Sequence, residues 1–152
     1  MRHIVIGCDN NAVGLKNELI KYMESKNVSY EDVGVNDKED GCYYPLVAKT
    51  VCEKIIESNF EKHGILICGT GLGMAISANK FKGIRAGVCH DNYSAERLIL
   101  SNNGNVLCMG SLIIGPALAR KVLGEWLELE FVDSNSTPKV NAILDIEKEN
   151  FK

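Results

Sequence analysis

Apolar residues along the chain follow two alternating patterns, which together predict five strands and six helices. Short runs of consecutive apolar residues are typical of strands that are buried on both faces. These runs predict strands at residues 3–7, 29–33, 65–67, 84–88 and 106–109. In the longer stretches between them, apolar residues recur every three or four positions, as on one face of a helix. These stretches predict helices at residues 12–26, 46–58, 74–79, 93–100, 116–129 and 139–148.

The alternation of strands and helices predicts an α/β fold in one domain that spans residues 1–152. We expect a five-stranded parallel sheet with right-handed crossovers and helices on both faces, which is a three-layer, doubly wound, Rossmann- or flavodoxin-like arrangement. The expected strand order is 2-1-3-4-5. The last helix, residues 139–148, lies outside this unit. Its apolar positions need a surface to cover, either on the parent domain or on a second subunit.

The stretch after the third predicted strand carries the strongest chemical signal. There the chain continues as Cys68-Gly69-Thr70-Gly71-Leu72-Gly73 before the next helix. Glycines let the backbone approach a ligand closely, and the first N–H groups of a helix have no partner within it. The positive end of a helix also stabilises a thiolate, so Cys68 is a candidate base or nucleophile near neutral pH. The simpler alternative is a small, buried cysteine that only fills space at the end of a strand.

Asp9 follows the first predicted strand directly, as Cys68 follows the third. In the expected order, these two strands flank the point where the winding direction reverses, and ligands bind there at the carboxyl ends of the strands. The two residues, far apart in sequence, are therefore expected at one site. An aspartate at such a position is also a common helix N-cap, and that alternative remains open for Asp9.

Charge and composition disfavour nucleic acids, membranes and metals as partners. The formal net charge of −3 provides no basic surface. No apolar run is long enough for a membrane-spanning helix, and the first run is too short for a signal peptide. The six cysteines include no Cys-x-x-Cys pair, which is typical of reduced thiols, so we expect a cytoplasmic protein. The three histidines lack the spacing of metal ligands, so we expect no bound metal.

Several segments resemble one known family, the ribose-5-phosphate isomerases of type B and the galactose-6-phosphate isomerases (the LacAB type). The resemblance runs from residue 4 to about residue 130. It is carried by Gly7-Cys8-Asp9, Tyr44-Pro45, the glycine loop at residues 64–73, and residues 78–86, 93–95, 102 and 110–115. The resemblance implies an aldose–ketose isomerisation through an enediolate, without a metal or an organic cofactor. It also implies a homodimer or homotetramer whose active sites lie at the dimer interface.

The resemblance further implies roles for individual residues. Cys68 would be the base that moves a proton between two carbons of a sugar phosphate. Thr70 and the backbone N–H groups of residues 71–74 would hold the enediolate oxygen, and Asp9 would hold substrate hydroxyls. The predicted substrate-binding residues are Asn10, Tyr44, Gly69, Gly71, Gly73, Met74, His90, Asn102 and Lys139.

The chain departs from the family's pattern at two kinds of position. Family members that act on ribose 5-phosphate usually have one histidine after the first-motif aspartate and another, which assists ring opening, before the residue that matches Asn102. Here these positions hold Asn10 and Ser101. Arginines of the family, two of which help to grip the substrate phosphate, are replaced by Leu112, Asn135 and Lys139.

A shorter substrate would account for these departures. A tetrose phosphorylated on its terminal oxygen cannot close a furanose ring, so it needs no ring-opening histidine. Residues 95–97 and 100–103 also resemble the tetrose-phosphate branch of the family. We therefore expect a tetrose 4-phosphate as substrate, with Lys139 or Arg97 near its phosphate. His90 would be either the missing acid or part of a helix-capping turn. A proton relayed through Asp9 or water is another route.

Three other functions remain open as alternatives. The first is a ribose-5-phosphate isomerase with an atypical ring-opening group. The second is a sugar-phosphate-binding protein without catalytic activity, which the intact glycine loop after Cys68 disfavours. The third is a thiol redox protein, which the absence of a Cys-x-x-Cys pair disfavours.

Overall fold

Five parallel strands form the centre of the molecule, and six helices accompany them. In the computed structural model, which describes residues 2–151, the strands are β1 Ile4–Cys8, β2 Tyr30–Asp32, β3 His63–Cys68, β4 Ala86–Val88 and β5 Val106–Gly110. The helices are α1 Val13–Ser25, α2 Tyr44–Glu57, α3 Leu72–Ala78, α4 Asn92–Leu100, α5 Pro116–Leu127 and α6 Thr137–Asn150. Every predicted element is present, with ends within a few residues of the predicted ones.

The helices lie in two layers, one on each face of the sheet. Helices α1 and α4 both pack against α5 in one layer, and α2 packs against α3 in the other. The predicted three-layer, doubly wound α/β fold is therefore confirmed. The three central strands, β1, β3 and β5, are almost entirely buried because both layers of helices cover them.

The predicted strand order is wrong at one edge of the sheet. The observed order is β2-β1-β3-β5-β4, so β5 is inserted between β3 and β4. Burial explains the exchange, because all five residues of β5 are buried whereas the three residues of β4 are only half-buried. A fully buried strand of five residues gains more from a central position than a half-buried strand of three. The neighbourhood of β1 and β3, on which the predicted site depends, is unaffected.

The outer edge of β4 is occupied by a side chain. Asn79, which follows α3, accepts a hydrogen bond from the backbone N–H of Ala86 at 2.8 Å. Its amide nitrogen donates to the carbonyl oxygen of the same residue at 2.9 Å. A single amide therefore takes the place that a neighbouring strand would have at this position.

Helix α6 is the element least embedded in the rest of the molecule. Val140 is buried, whereas Ile143 and Ile146 are 39% and 59% exposed. Glu147 ties the helix to the body by accepting the backbone N–H of Gly83 at 2.9 Å. That α6 covers a second subunit stays a prediction. Within residues 2–151, no helix combines the length and apolarity that crossing a membrane requires.

Candidate active site

One cavity of about 290 Å³ lies at the carboxyl ends of β1 and β3. The residues that line it are Asp9, Asn11, Tyr44, Cys68, Gly69, Thr70 and Gly73. Strand register explains why residues from distant segments meet here. Cys8 on β1 lies beside Ile67 on β3, so Asp9 and Cys68 leave the sheet at the same level. The structure thus brings together Asp9 and Cys68 in one crevice.

Cys68 is the last residue of β3 and is held by the glycine loop that follows it. The backbone N–H of Gly71 donates to its Sγ at 3.1 Å. Gly71 has a φ of +80°, and a Cβ at this position would lie 2.9 Å from the backbone of Met109. Only glycine fits both the dihedral angle and the space, and it turns the loop back so that its N–H meets the sulfur. This contact fixes the Cys68 side chain at the cavity wall.

The same loop supplies fewer free backbone donors than the sequence predicts. Besides the N–H of Gly71, which is used by Cys68, the N–H of Leu72 donates to Oγ1 of Thr70 at 3.3 Å. The N–H groups of Gly73 and Met74 have no hydrogen-bond partner within residues 2–151. Met74 is completely buried and does not line the cavity, whereas Gly69, Thr70 and Gly73 do. The N–H groups of Gly69 and Thr70 also lack a hydrogen-bond partner in the described part of the chain. The donors left for an anion at the cavity wall are therefore the three N–H groups of Gly69, Thr70 and Gly73 and the hydroxyl of Thr70.

Tyr44 forms one wall of the cavity by packing against α3. It is the first residue of α2, and its ring lies directly over Gly73. A Cβ on Gly73 would come within 2.3 Å of the Tyr44 ring. The absence of a side chain at position 73 is therefore what allows the ring to line the site.

Asp9 is not the N-cap of α1, so that alternative is wrong. The helix begins at Val13 after Ala12, with no side-chain capping bond. Instead, the Asp9 carboxylate accepts the backbone N–H of Asn11 at 3.0 Å and its side-chain amide at 3.4 Å. Each oxygen accepts one bond, and a carboxylate has room for further donors, such as sugar hydroxyls. Asp9 is 8% exposed, so this capacity is directed into the cavity that it lines.

Asn11 is a cavity residue that the sequence analysis missed. The prediction named Asn10, which is exposed and does not line the cavity. In an Asx turn, the side chain of an aspartate accepts a hydrogen bond from the backbone N–H two residues later, as Asp9 does from Asn11. That local pattern could have identified Asn11 as the neighbour of the carboxylate.

His90 does not line the cavity, and its ring is bonded to the backbone of β5. Its Nε2 accepts the backbone N–H of Gly110 at 2.8 Å, so the neutral ring carries its proton on Nδ1. Burial lowers the pKa of His90, while the neighbouring Asp91 carboxylate acts in the opposite direction. The N-cap of α4 is Asp91, which accepts the N–H of Ser94 at 2.7 Å. His90 therefore connects the end of β5 to the turn that follows β4.

The remaining predicted substrate-binding residues are separate from the cavity in this chain. Asn102 lines a different cavity of about 600 Å³ between β4 and α6. Lys139 is exposed on α6. Asn135 shares a third cavity, of about 310 Å³, with Arg97. Leu112 is 76% exposed and lies beside Gly69 of the glycine loop. A Cβ built on Gly69 would be 3.4 Å from Cδ1 of Leu112.

Four of the other cysteines are buried and are poor acids. Burial raises the pKa of Cys8 and of Cys52 to about 12 and that of Cys89 to about 11. Burial also raises the pKa of Cys108 well above its ordinary value. Cys42 is exposed, and it does not line the Cys68 cavity. Among the six cysteines, all of which are free thiols, Cys68 is the one that faces the space shared with Asp9.

The sequence matches the model of the family described as Ribose/Galactose Isomerase over residues 4–143. D-erythrulose-4-phosphate isomerase 2 of Mycolicibacterium smegmatis is 50% identical, over 92% of this chain and 93% of that protein. Ribose-5-P isomerase B of Listeria innocua is 43% identical, over 97% of this chain and 98% of that protein.

A solved structure shares the fold over nearly its full length. Ribose-5-phosphate isomerase B of Clostridium thermocellum superposes with a TM-score of 0.90 at 35% sequence identity. The match covers 97% of this chain and 98% of that one.

Proposed function

The chain belongs to the ribose/galactose isomerase family, and on that basis we propose that it is an aldose–ketose isomerase of a small sugar phosphate. The observation that carries the proposal is the cavity in which Cys68 and Asp9 face the same space. The reaction is internally balanced, because one carbon of the sugar is oxidised while its neighbour is reduced. It needs a base and hydrogen-bond donors for an enediolate, and the cavity lining supplies both.

Cys68 is the proposed base. Its thiolate removes a proton from the carbon beside the carbonyl, and the carbonyl oxygen takes up the electron pair as the carbon–carbon double bond of the enediolate forms. The neighbouring hydroxyl proton then passes to that oxygen, and the proton held by Cys68 returns to the former carbonyl carbon, which regenerates the thiolate. The sulfur is oriented for this step by the N–H of Gly71 at 3.1 Å. The pKa values of about 12 for Cys8 and Cys52 support this choice, because those thiols stay protonated near neutral pH.

The enediolate oxygens are proposed to bind at the start of α3. The hydroxyl of Thr70 and the N–H groups of Gly69, Thr70 and Gly73 line the cavity, and none of these N–H groups has a partner within residues 2–151. These donors are already in place before the charge develops. Asp9, supported by Asn11, accepts hydrogen bonds from the sugar hydroxyls. Tyr44 closes one side of the site.

The substrate that we propose is a tetrose 4-phosphate, such as erythrose 4-phosphate or erythrulose 4-phosphate. The 50% identical M. smegmatis relative is named for erythrulose 4-phosphate. An open-chain tetrose also fits the presence of Ser101 at the position of the ring-opening histidine. None of the residues that line the cavity is a histidine that could assist ring opening. His90 lies outside this lining, and its Nε2 is bonded to the N–H of Gly110.

Ribose 5-phosphate is the second candidate substrate. The L. innocua relative, which is 43% identical, is named for it. This alternative requires a group other than histidine to open the furanose ring. The two substrates are therefore distinguished by turnover with the two sugar phosphates, measured side by side.

We further propose a cytoplasmic homodimer or homotetramer whose active site lies between subunits. Asn102 and Lys139 lie outside the Cys68 cavity of their own chain, so a second copy would bring them to it. The exposed residues Ile143 and Ile146 on α6 give such a copy an apolar surface to cover. Six free cysteines support a reducing compartment.

Proton exchange in deuterated water, followed by NMR, tests the proposal. The protein is incubated with four-, five- and six-carbon aldose and ketose phosphates, and deuterium is measured at the carbon beside the carbonyl. We expect exchange with the tetrose phosphates, a loss of about 10²–10⁴-fold in Cys68→Ser, and no change in Cys42→Ser as the control. Faster exchange with ribose 5-phosphate would select the second candidate. Binding of a sugar phosphate without any exchange would identify a non-catalytic binding protein.

A further inference from the structure

A lysine on α1 that does not line the cavity is completely buried. Lys16 on α1 has no exposed surface. Its ammonium group donates to Oδ1 of Asp32 at 2.7 Å, to the carbonyl oxygen of Val35 at 2.8 Å and to Oδ1 of Asn36 at 2.5 Å. All three donors are used, which is what a buried ammonium requires to offset its loss of hydration.

The three acceptors all lie in the short segment 32–36 that leaves β2. This segment is bonded to the end of β1 by two backbone hydrogen bonds. The N–H of Cys8 donates to Gly34 at 2.7 Å, and the N–H of Val35 donates to the carbonyl of Cys8 at 2.8 Å. The segment that Lys16 holds therefore supports Cys8, the residue that immediately precedes Asp9.

The same connection leads to the other wall of the site. Residues 33–43 form a loop without helix or strand, and this loop leads to Tyr44, the first residue of α2. The ring of Tyr44 lines the cavity against Gly73. Lys16 therefore anchors the beginning of a loop whose neighbours at its two ends, Asp9 and Tyr44, both face the substrate site.

We infer that Lys16 is a positioning residue for substrate binding, acting through segment 32–36 on Asp9 and Tyr44. This inference rests on the proposed function, in which those two residues contact the sugar. Cys68 is held independently by β3 and by the N–H of Gly71. The effect of Lys16 is therefore on the affinity for the substrate, and the proton transfer itself is spared.

The substitution Lys16→Met tests this with a side chain of similar length and no charge. We expect KM for the sugar phosphate to rise about tenfold and kcat to stay within about threefold, because misplaced binding groups weaken binding without removing the base. Lys21→Met is the matched control, since Lys21 is on the same helix and its side chain is 74% exposed. All assays are run well below the melting temperature of each variant. A KM within twofold of the wild-type value would overturn the inference.

Hydrogen exchange provides a readout that does not depend on activity. In Lys16→Met, the backbone amides of residues 33–43 should exchange faster, while those of β3 keep their protection. Unchanged exchange in residues 33–43 would overturn the anchoring role even if the protein proved to have no isomerase activity. Absence of turnover in the wild-type protein, by contrast, would contradict the proposed function alone.

A milder variant keeps the test decisive if Lys16→Met does not fold. Asn36→Ala removes one acceptor from the segment and leaves Lys16 bonded to Asp32 and Val35. We expect about a threefold rise in KM and faster exchange confined to the same loop. A wild-type KM together with wild-type exchange in this variant would contradict the inference.

Discussion

The two ends of the central sheet both collect polar side chains, but they use them in opposite ways. At the carboxyl end, Cys68 and Asp9 face a cavity and keep hydrogen-bonding capacity for a ligand. At the amino end, Arg2, His63 and Trp126 pack against each other. The Arg2 guanidinium lies 5.4 Å from the centre of the Trp126 ring, which meets the His63 ring edge-on at 5.8 Å.

The difference follows from the direction of the chain. Helix N-termini, with their unpaired N–H groups, gather at the carboxyl ends of parallel strands, so a ligand finds donors there. At the amino end, Arg2 donates to the carbonyl oxygens of Trp126 and Leu129, which closes the surface instead of opening it. Residues at the amino end should therefore govern stability, and those at the carboxyl end should govern catalysis.

The largest effect that separates the two ends is expected from Trp126→Ala. Trp126 is completely buried, and its loss should lower the free energy of unfolding by about 3–5 kcal/mol. The kcat and KM of the folded fraction should not change. Urea unfolding and steady-state kinetics measure the two quantities, with Leu118→Ala, 43% exposed on the same helix, as the control. A large change in KM would show that the amino end is coupled to the site.

A smaller effect is expected from pH through His63. Burial lowers the pKa of His63 to about 4, with Arg2 and Arg85 adding to the shift. The unfolded chain takes up a proton near pH 6.5, whereas the folded chain does so only near pH 4. Above pH 6.5, His63 is neutral in both states and does not change the free energy of unfolding. As the pH falls from 6.5 to 4, protonation of the unfolded chain alone lowers the free energy of unfolding, by on the order of 2–3 kcal/mol for a partly exposed ring.

The difference between the stability curves of the wild-type protein and His63→Phe isolates this contribution. Phenylalanine keeps the ring beside Trp126 and cannot titrate. The wild-type protein should lose stability relative to the variant between pH 6.5 and pH 4. Parallel curves across this range would show that His63 has an ordinary pKa in the folded protein.

The smallest effect is expected from Gly73→Ala at the carboxyl end. The new Cβ would lie 2.3 Å from the Tyr44 ring and would push the ring out of the cavity wall. We expect KM to rise about tenfold while the melting temperature changes little, because Tyr44 is 40% exposed and can move. Gly14→Ala in α1 is the control, since its Cβ would meet nothing within 4 Å. Equal KM values in the two variants would mean that Tyr44 does not shape the site.

The sequence predicted the elements and the meeting of Asp9 with Cys68 because both follow from local patterns and from the parallel arrangement of strands. The order of β4 and β5 could not be predicted in the same way, since it depends on how completely each strand is buried by helices from elsewhere in the chain. Apolar runs alone do not distinguish a central strand from a neighbouring edge strand.

Within the site, the predictions that were wrong concern the direction in which a side chain points. Asn10 and Asn11 are adjacent, and only the turn geometry decides which of them reaches the Asp9 carboxylate. His90 looked available as an acid, but a backbone N–H from β5 takes its Nε2. Lys16 carried no motif of its own, because its three acceptors come together only once β2 pairs with β1.

The amide of Asn79 on the β4 edge also limits how copies of this chain can assemble. Because the N–H and C=O of Ala86 are already bonded to that amide, a second molecule cannot extend the sheet there by strand pairing. A larger assembly that leaves these bonds intact has to use helix faces and loops at this edge. At Ala86, the same bonds remove one place where strands of neighbouring molecules could pair into fibrous aggregates.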